Sequence, residues 1–148
     1  GNLLVFDNGG QGGYGFANPA RPDGTNAMTR DSSRVLEINP VTLEVVWEYT
    51  LGGTERYRFY SAYVSNAQRL PNGNTRVNAG MDGRIFELTP EEEIVWEYVN
   101  PFLSDDDTPS RRIYRAYRVP YDWIPQVTQP TENAVIPPEL KNFRVPSY

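Results

Sequence analysis

The sequence predicts an all-β fold made of propeller blades, each of four antiparallel strands, and three observations carry that prediction. The chain contains one unit twice. Gly1-Asn2, Val5, Arg34-Val-Leu-Glu-Ile-Asn-Pro40 and Val45-Val-Trp-Glu-Tyr49 recur in the same order as Gly73-Asn74, Val77, Arg84-Ile-Phe-Glu-Leu-Thr-Pro90 and Ile94-Val-Trp-Glu-Tyr98. The offset is 50 residues from the arginine onward and 49 at Trp-Glu-Tyr. Units of this length made of short strands are the signature of propeller blades. Third, aromatic content is 13% and Gly and Pro together make 25 of 148 residues, a strand-and-turn composition.

Each element then has a local reason. Leu3–Asp7 is β-branched, apolar and aromatic enough for a strand. Residues 8–33 are rich in Gly, Asn, Pro and Asp without a period, so they read as a long loop where the second copy has only Gly80-Met-Asp-Gly83. Arg34–Ile38 and Glu44–Thr50 follow as strands. The two-residue period puts Trp47 and Tyr49 on one face and Val46 and Glu48 on the other. After a connector, a strand over 61–70 runs into Pro71-Asn72-Gly73-Asn74, where Asn-Gly predicts a type I′ hairpin. Thr75–Ala79, Arg84–Leu88 and Glu93–Val99 complete one blade, lettered A to D from the inside outward. Residues 113–120 are expected to form a further A strand, because Arg118-Val-Pro120 matches Arg69-Leu-Pro71.

Written as strands, the chain is B-C-D, A-B-C-D, A. Residues 1–123 are assigned to blades of one propeller, and 124–148, with five Pro, to a tail packed on the surface. Two arrangements complete such a chain. It is the C-terminal part of a longer propeller, with a missing N-terminal segment as its partner, or further copies of itself close a ring by exchanging A strands.

Composition also excludes. A formal charge of −5 argues against a basic nucleic-acid surface. Thirteen arginines against one lysine permit a planar-anion site, although ion pairs and aromatic stacking explain them as well. Without Cys there is no disulfide or thiolate chemistry, and without His the commonest general base and metal ligand are gone. No apolar run is long enough to span a bilayer. No metal site or cofactor is predicted; Asp105-Asp106-Asp107 reads as a solvated acidic turn.

The stretches Asp7-Asn8-Gly9, Phe59-Tyr60-Ser61, AQRLPNGNT, DGRIFELTP, VWEYVNPF and YRAYRVPYDWIP together resemble the arylsulfotransferase-like β-propeller family, from Gly1 to about Trp123. The resemblance implies an exported, periplasmic or extracellular protein. It also implies sulfuryl transfer from a phenolic sulfate to a phenol, with a histidine carrying the group and His and Arg holding the sulfate oxygens at the channel mouth. This chain has no histidine, so it is not expected to catalyse the transfer alone. The alternative is a non-catalytic exported scaffold, or a propeller unit closed by strand exchange.

The residues expected to contribute to an aryl sulfate or phenol site are Asp7 and Asn8 at the first strand end, Arg30 and Arg34 around the long loop, and Tyr60 and Ser61. Some have a structural reading beside them, whereas Arg30 is not explained by the repeat. Arg34 and the equivalent Arg84 suit pairing with Glu37 or Glu87 or stacking on Trp. Asp7 and Asn8 suit a turn, and Tyr117 and Trp123 suit aromatic core.

Overall fold

Among the described residues of the computed structural model, seven short strands form, all paired antiparallel, in two sheets. Residues 1–9, 32–105, 107, 109–133 and 136 are described. They fall in two compact units, Gly1–Arg118 and Val119–Tyr148. The first sheet holds β1 (Leu3–Asp7), β2 (Arg34–Ile38) and β3 (Val45–Thr50) in that order. The second holds β4 (Ser65–Arg69), β5 (Thr75–Ala79), β6 (Arg84–Leu88) and β7 (Ile94–Val99). These are the predicted B-C-D and A-B-C-D sets, in meander order, so the all-β, blade-like prediction holds.

Register explains why the strands bury what they bury. Phe6, Val35 and Tyr49 lie opposite one another across the first sheet, as do Leu4, Glu37 and Trp47, and this face meets the second sheet. There Ala67, Val77 and Phe86 are aligned, with Ala79 and Leu88 on the same face. Val35, Tyr49, Phe59, Val77, Ala79, Phe86 and Leu88 make the core, with Phe59 edge-on to both Phe6 and Phe86. Two sheets meeting face to face through alternate residues is how one blade covers the next.

The turns carry corrections. Leu70 accepts from the Gly73 N–H at 3.0 Å and its own N–H donates to Asn74 O at 2.8 Å. Only Gly73 has positive φ, at 89°, so this hairpin is a type I turn over Pro71-Asn72 closed by a left-handed glycine rather than type I′. Pro71 is the reason, since its ring fixes φ near −65°. The turn from Thr89 to Glu93 has the same two hydrogen bonds, with Glu92 in the glycine position at φ 70°. Leu43 is its counterpart at φ 61°. Both left-handed residues delay the next strand, which begins at Val45 and Ile94, one residue later than predicted.

The strand predicted from residue 61 starts only at Ser65. Val64 sits at φ 51°, an outlier for a β-branched residue, and the Ser61 hydroxyl bonds back to Tyr63 O at 3.0 Å, closing a turn. The final strand, predicted over 113–120, forms no ladder among the described residues. Its backbone is held by side-chain amides instead. Asn66 bonds both the N–H and C=O of Ala116, at 3.0 and 2.9 Å, and Gln68 does the same for Arg118, at 2.8 and 2.9 Å. Gly80 O accepts from Ile113 N–H at 2.9 Å, and Asn78 donates to Ile113 O at 3.1 Å. The segment lies over the outer face of the second sheet, with no strand paired to it among the described residues.

In the second unit, Pro120 O accepts from Trp123 N–H at 3.1 Å and Tyr121 O from Ile124 N–H at 3.1 Å, forming one 3-10 turn over Tyr121–Trp123.

Candidate functional site

Two places gather polar side chains, at opposite ends of the strands. At one end, β1 finishes, β2 begins and the chain approaches β4. Asp7 closes β1 directly opposite Arg34. The Arg34 guanidinium donates to one Asp7 carboxylate oxygen through Nε at 3.0 Å and Nη2 at 2.8 Å, and lies 3.5 Å from Glu48. Two carboxylates therefore share its charge. Arg84, its repeat counterpart, pairs with Glu97, places its guanidinium 4.5 Å from the Phe86 ring centroid and donates to Arg58 O at 3.2 Å. Neither arginine takes Glu37 or Glu87 as partner, nor stacks on Trp. Those roles fall to Arg69 and Arg118, because the A strand of one blade, not its own C strand, reaches those glutamates.

Behind the Asp7–Arg34 pair is a buried hydroxyl network. Ser33 Oγ accepts from the N–H groups of Ser61, at 2.8 Å, and Gly9, at 3.2 Å, and donates to Ser61 O at 3.1 Å. Asn8 Nδ2 donates to Ser61 O at 2.9 Å and to Ser65 Oγ at 3.1 Å. Ser65 Oγ contacts Ser61 Oγ at 2.9 Å, and the amides of Gly80 and Met81 donate to Ser65 Oγ and Ser61 Oγ. Ser33 and Ser61 are both fully buried. The Tyr60 ring packs on Gly9, where an added Cβ would stand 2.6 Å from it.

Asp7, Asn8, Arg34, Tyr60 and Ser61 are thus brought to one end of the blades, while Arg30 lies outside the described residues. Ser33 and Ser65 belong to the same network and were not singled out in the sequence. Their signal was weak: Ser33 just before β2 and Ser65 opening β4 look in sequence like ordinary turn and strand residues. With no histidine in the chain and its hydroxyl already engaged, Ser61 has no base beside it. Among the described residues no group of three acidic side chains is placed to hold a metal ion.

At the other end, a three-residue cluster occurs twice. Glu37 takes the Asn2 amide at 2.7 Å and the Arg69 guanidinium, which also lies 4.8 Å from the Trp47 ring centroid. Glu87 takes the Asn74 amide at 2.7 Å and Arg118 at 2.8 Å. Asn2 and Asn74, Glu37 and Glu87, and Arg69 and Arg118 are repeat equivalents. The Asn2 hydrogen bond, with Arg69 adding to it against burial, holds the Glu37 carboxyl below the usual carboxylate range. Each cluster ties the A strand of one blade to the B and C strands of the blade before it.

The outer face of the second sheet is less satisfied. Arg76 is 5% exposed, yet its Nη1 and the neighbouring Asn78 Oδ1 have no partner among the described residues. Burial, with Arg118 nearby, pulls the Arg76 pKa down.

No helix among the described residues is long and apolar enough to cross a membrane. No curated protein and no solved structure matches the chain. A family model does, that of the arylsulfotransferases, over residues 1–103, which takes in both sheets and the Asn2–Glu37–Arg69 cluster. With most of its length so matched, and with two antiparallel blade-like sheets in place, the chain belongs to the arylsulfotransferase family.

Proposed function

We propose that this chain supplies blades to an arylsulfotransferase-like propeller that moves a sulfuryl group from a phenolic sulfate to a phenol. The observation that supports it is the repeated Asn–Glu–Arg cluster, whose first copy lies inside the family-matched region, since it joins successive blades by one rule and so suits a ring. In this reading Asp7, Asn8, Arg30, Arg34, Tyr60 and Ser61 form the chain's part of the channel rim. Asn8 and Ser61 fix the backbone there, and Asp7 holds Arg34 in place. The transfer breaks the sulfur–oxygen bond of the donor ester and forms a new one to the acceptor phenol, which loses its proton. A histidine to carry the group would come from blades outside this chain. The protein works in an exported compartment, as the family resemblance implies.

An aryl-sulfate assay tests this. The chain alone should release no phenol from a phenolic sulfate, and joining it to a histidine-bearing preceding segment of the same family should restore transfer to a phenol acceptor. Transfer by the isolated chain, or none by the joined protein once its fold is verified by circular dichroism, would overturn it.

A second reading, a non-catalytic propeller unit that assembles with copies of itself, is favoured by one observation. The chain's two open faces are repeat equivalents of the two faces it already packs together. Val5 is 40% exposed where its equivalent Val77 is fully buried, and Tyr98 is 39% exposed where Tyr49 is 4% exposed.

A further inference from the structure

Tyr63 and Arg112 hold one place in the repeat. Arg112 follows Tyr63 by 49 residues, the offset that separates Arg118 from Arg69, so each stands six residues before one of those two arginines. The structure joins them directly. Arg112 Nη1 donates to the Tyr63 hydroxyl at 2.7 Å, and Arg112 Nε donates to Ser110 Oγ at 2.7 Å. Both lie at the strand end that carries Asp7 and Arg34. Tyr63 O accepts from the hydroxyl of the buried Ser61 at 3.0 Å, and Ile113, next to Arg112, donates to Gly80 O at 2.9 Å.

The backbone beside Tyr63 is bent at a cost. Val64 takes φ 51°, which a β-branched residue rarely adopts, and its carbonyl is packed so closely that a Cβ on Gly80 would stand 1.8 Å from it. The bend keeps residues 61–64 out of the ladder that begins at Ser65 and leaves Tyr63 at the strand end, 48% exposed. Tyr114, two residues after Arg112, is 68% exposed, with the Arg115 guanidinium 5.4 Å from its ring centroid. The arginine excess of the sequence therefore meets exposed tyrosines at this end of the blades. A guanidinium fork beside aromatic rings suits a ligand that joins a compact anion to an aryl group.

We infer that Tyr63 and Arg112 hold the sulfate group of a phenolic sulfate, while the Tyr63 and Tyr114 rings offer its aryl group an apolar face. Arg112 supplies positive charge. Because the Tyr63 oxygen accepts from Arg112, its own O–H proton is left for a sulfate oxygen, and the guanidinium makes that proton a stronger donor. Neither residue makes or breaks a bond in this role; the pair binds. The inference rests on the reading of this strand end as a channel rim and adds two residues that grip the anion there.

Calorimetric titration of the chain with 4-nitrophenyl sulfate tests this, with inorganic sulfate and 4-nitroanisole as the two halves of the ligand. The ester should bind about tenfold or more tightly than either half. Tyr63→Phe, which removes one oxygen, should weaken ester binding about 3- to 10-fold, and Arg112→Gln about tenfold or more. Arg111→Gln removes the same charge one residue away and should change it by less than about twofold. In the joined protein of the aryl-sulfate assay, Tyr63→Phe should raise KM for the ester by the same factor with kcat little changed, which decides the matter for any variant that loses the parent's circular dichroism in the isolated chain. No ester binding by the folded parent, equal losses in the Arg111 and Arg112 variants, or parent-like binding by Tyr63→Phe would each overturn the proposal. Ester binding without transfer by the joined protein would overturn the proposed function and leave this site standing, and transfer with both substitutions silent would do the reverse.

Discussion

Arg118 holds Glu87 at 2.8 Å in the position where, 49 residues earlier, Arg69 holds Glu37. Arg69 arrives from β4 and Arg118 from the segment 113–118 that takes the same place in the repeat, and each glutamate comes from the third strand of the blade before. The pair is therefore a joint between blades, with the asparagine just before the second strand completing it. Removing one partner tests the joint. Arg69→Ala leaves Glu37 half-buried with only Asn2 and strips the cation from Trp47. The pair is partly exposed, so solvent screening limits the loss to about 1–2 kcal/mol of unfolding free energy. Urea denaturation of the variant against the parent measures it.

The same glutamate sets a pH response. Its folded pKa lies below the unfolded value of about 4.3. Stability from Glu37 is therefore fully present above about pH 5 and is lost as pH falls through its lower folded value. Glu37→Gln should be less stable than the parent at neutral pH, and the gap should narrow in acid. Midpoints from thermal melts at several pH values check this; a gap that widens in acid would contradict it.

Ser33 is the centre of the hydroxyl network behind the Asp7–Arg34 pair. Ser33→Ala removes the acceptor of Ser61 N–H and one acceptor of Gly9 N–H while leaving both buried, at a cost of about 1–3 kcal/mol. Ser33→Thr keeps the hydroxyl and should recover part of that loss. Amide exchange at Ser61 should quicken in the alanine variant, a readout that a general packing defect elsewhere would not single out.

Gly80 is hemmed in by backbone. A Cβ there would stand 1.8 Å from Val64 O and 2.5 Å from Ile113 O, neither of which belongs to a flexible side chain. Gly80→Ala should destabilise by about 1–3 kcal/mol, by overpacking, and loosen the 113–118 segment, because Gly80 O is what holds Ile113. Chemical denaturation and protease cleavage after Arg112 or Arg115 report the two effects.

Glu92 offers the opposite sign. It holds the left-handed position of a turn whose twin uses Gly73, and a non-glycine residue there carries about 1–2 kcal/mol of steric cost. Glu92→Gly relieves that and gives back part of it as lost chain restriction. A net gain of up to about 1 kcal/mol is expected, read as a rise in the urea midpoint with an unchanged slope.

The sequence by itself determined the strands and their order. Alternation of apolar and polar residues is a backbone property with a period of two, and the 50-residue repeat copies it from one blade to the next. That Trp47 and Tyr49 share one face was legible for the same reason. The absence of histidine was legible outright. Partners across blades were not. Arg34, Arg69, Arg84 and Arg118 are alike in a string of letters, and only the stacking of one sheet on another decides that Glu37 meets Arg69 while Arg34 turns to Asp7. Residues 113–118 show the limit most clearly. Their sequence is that of an inner strand, but a strand exists only where a second backbone lies alongside, and here side-chain amides hold one of its edges.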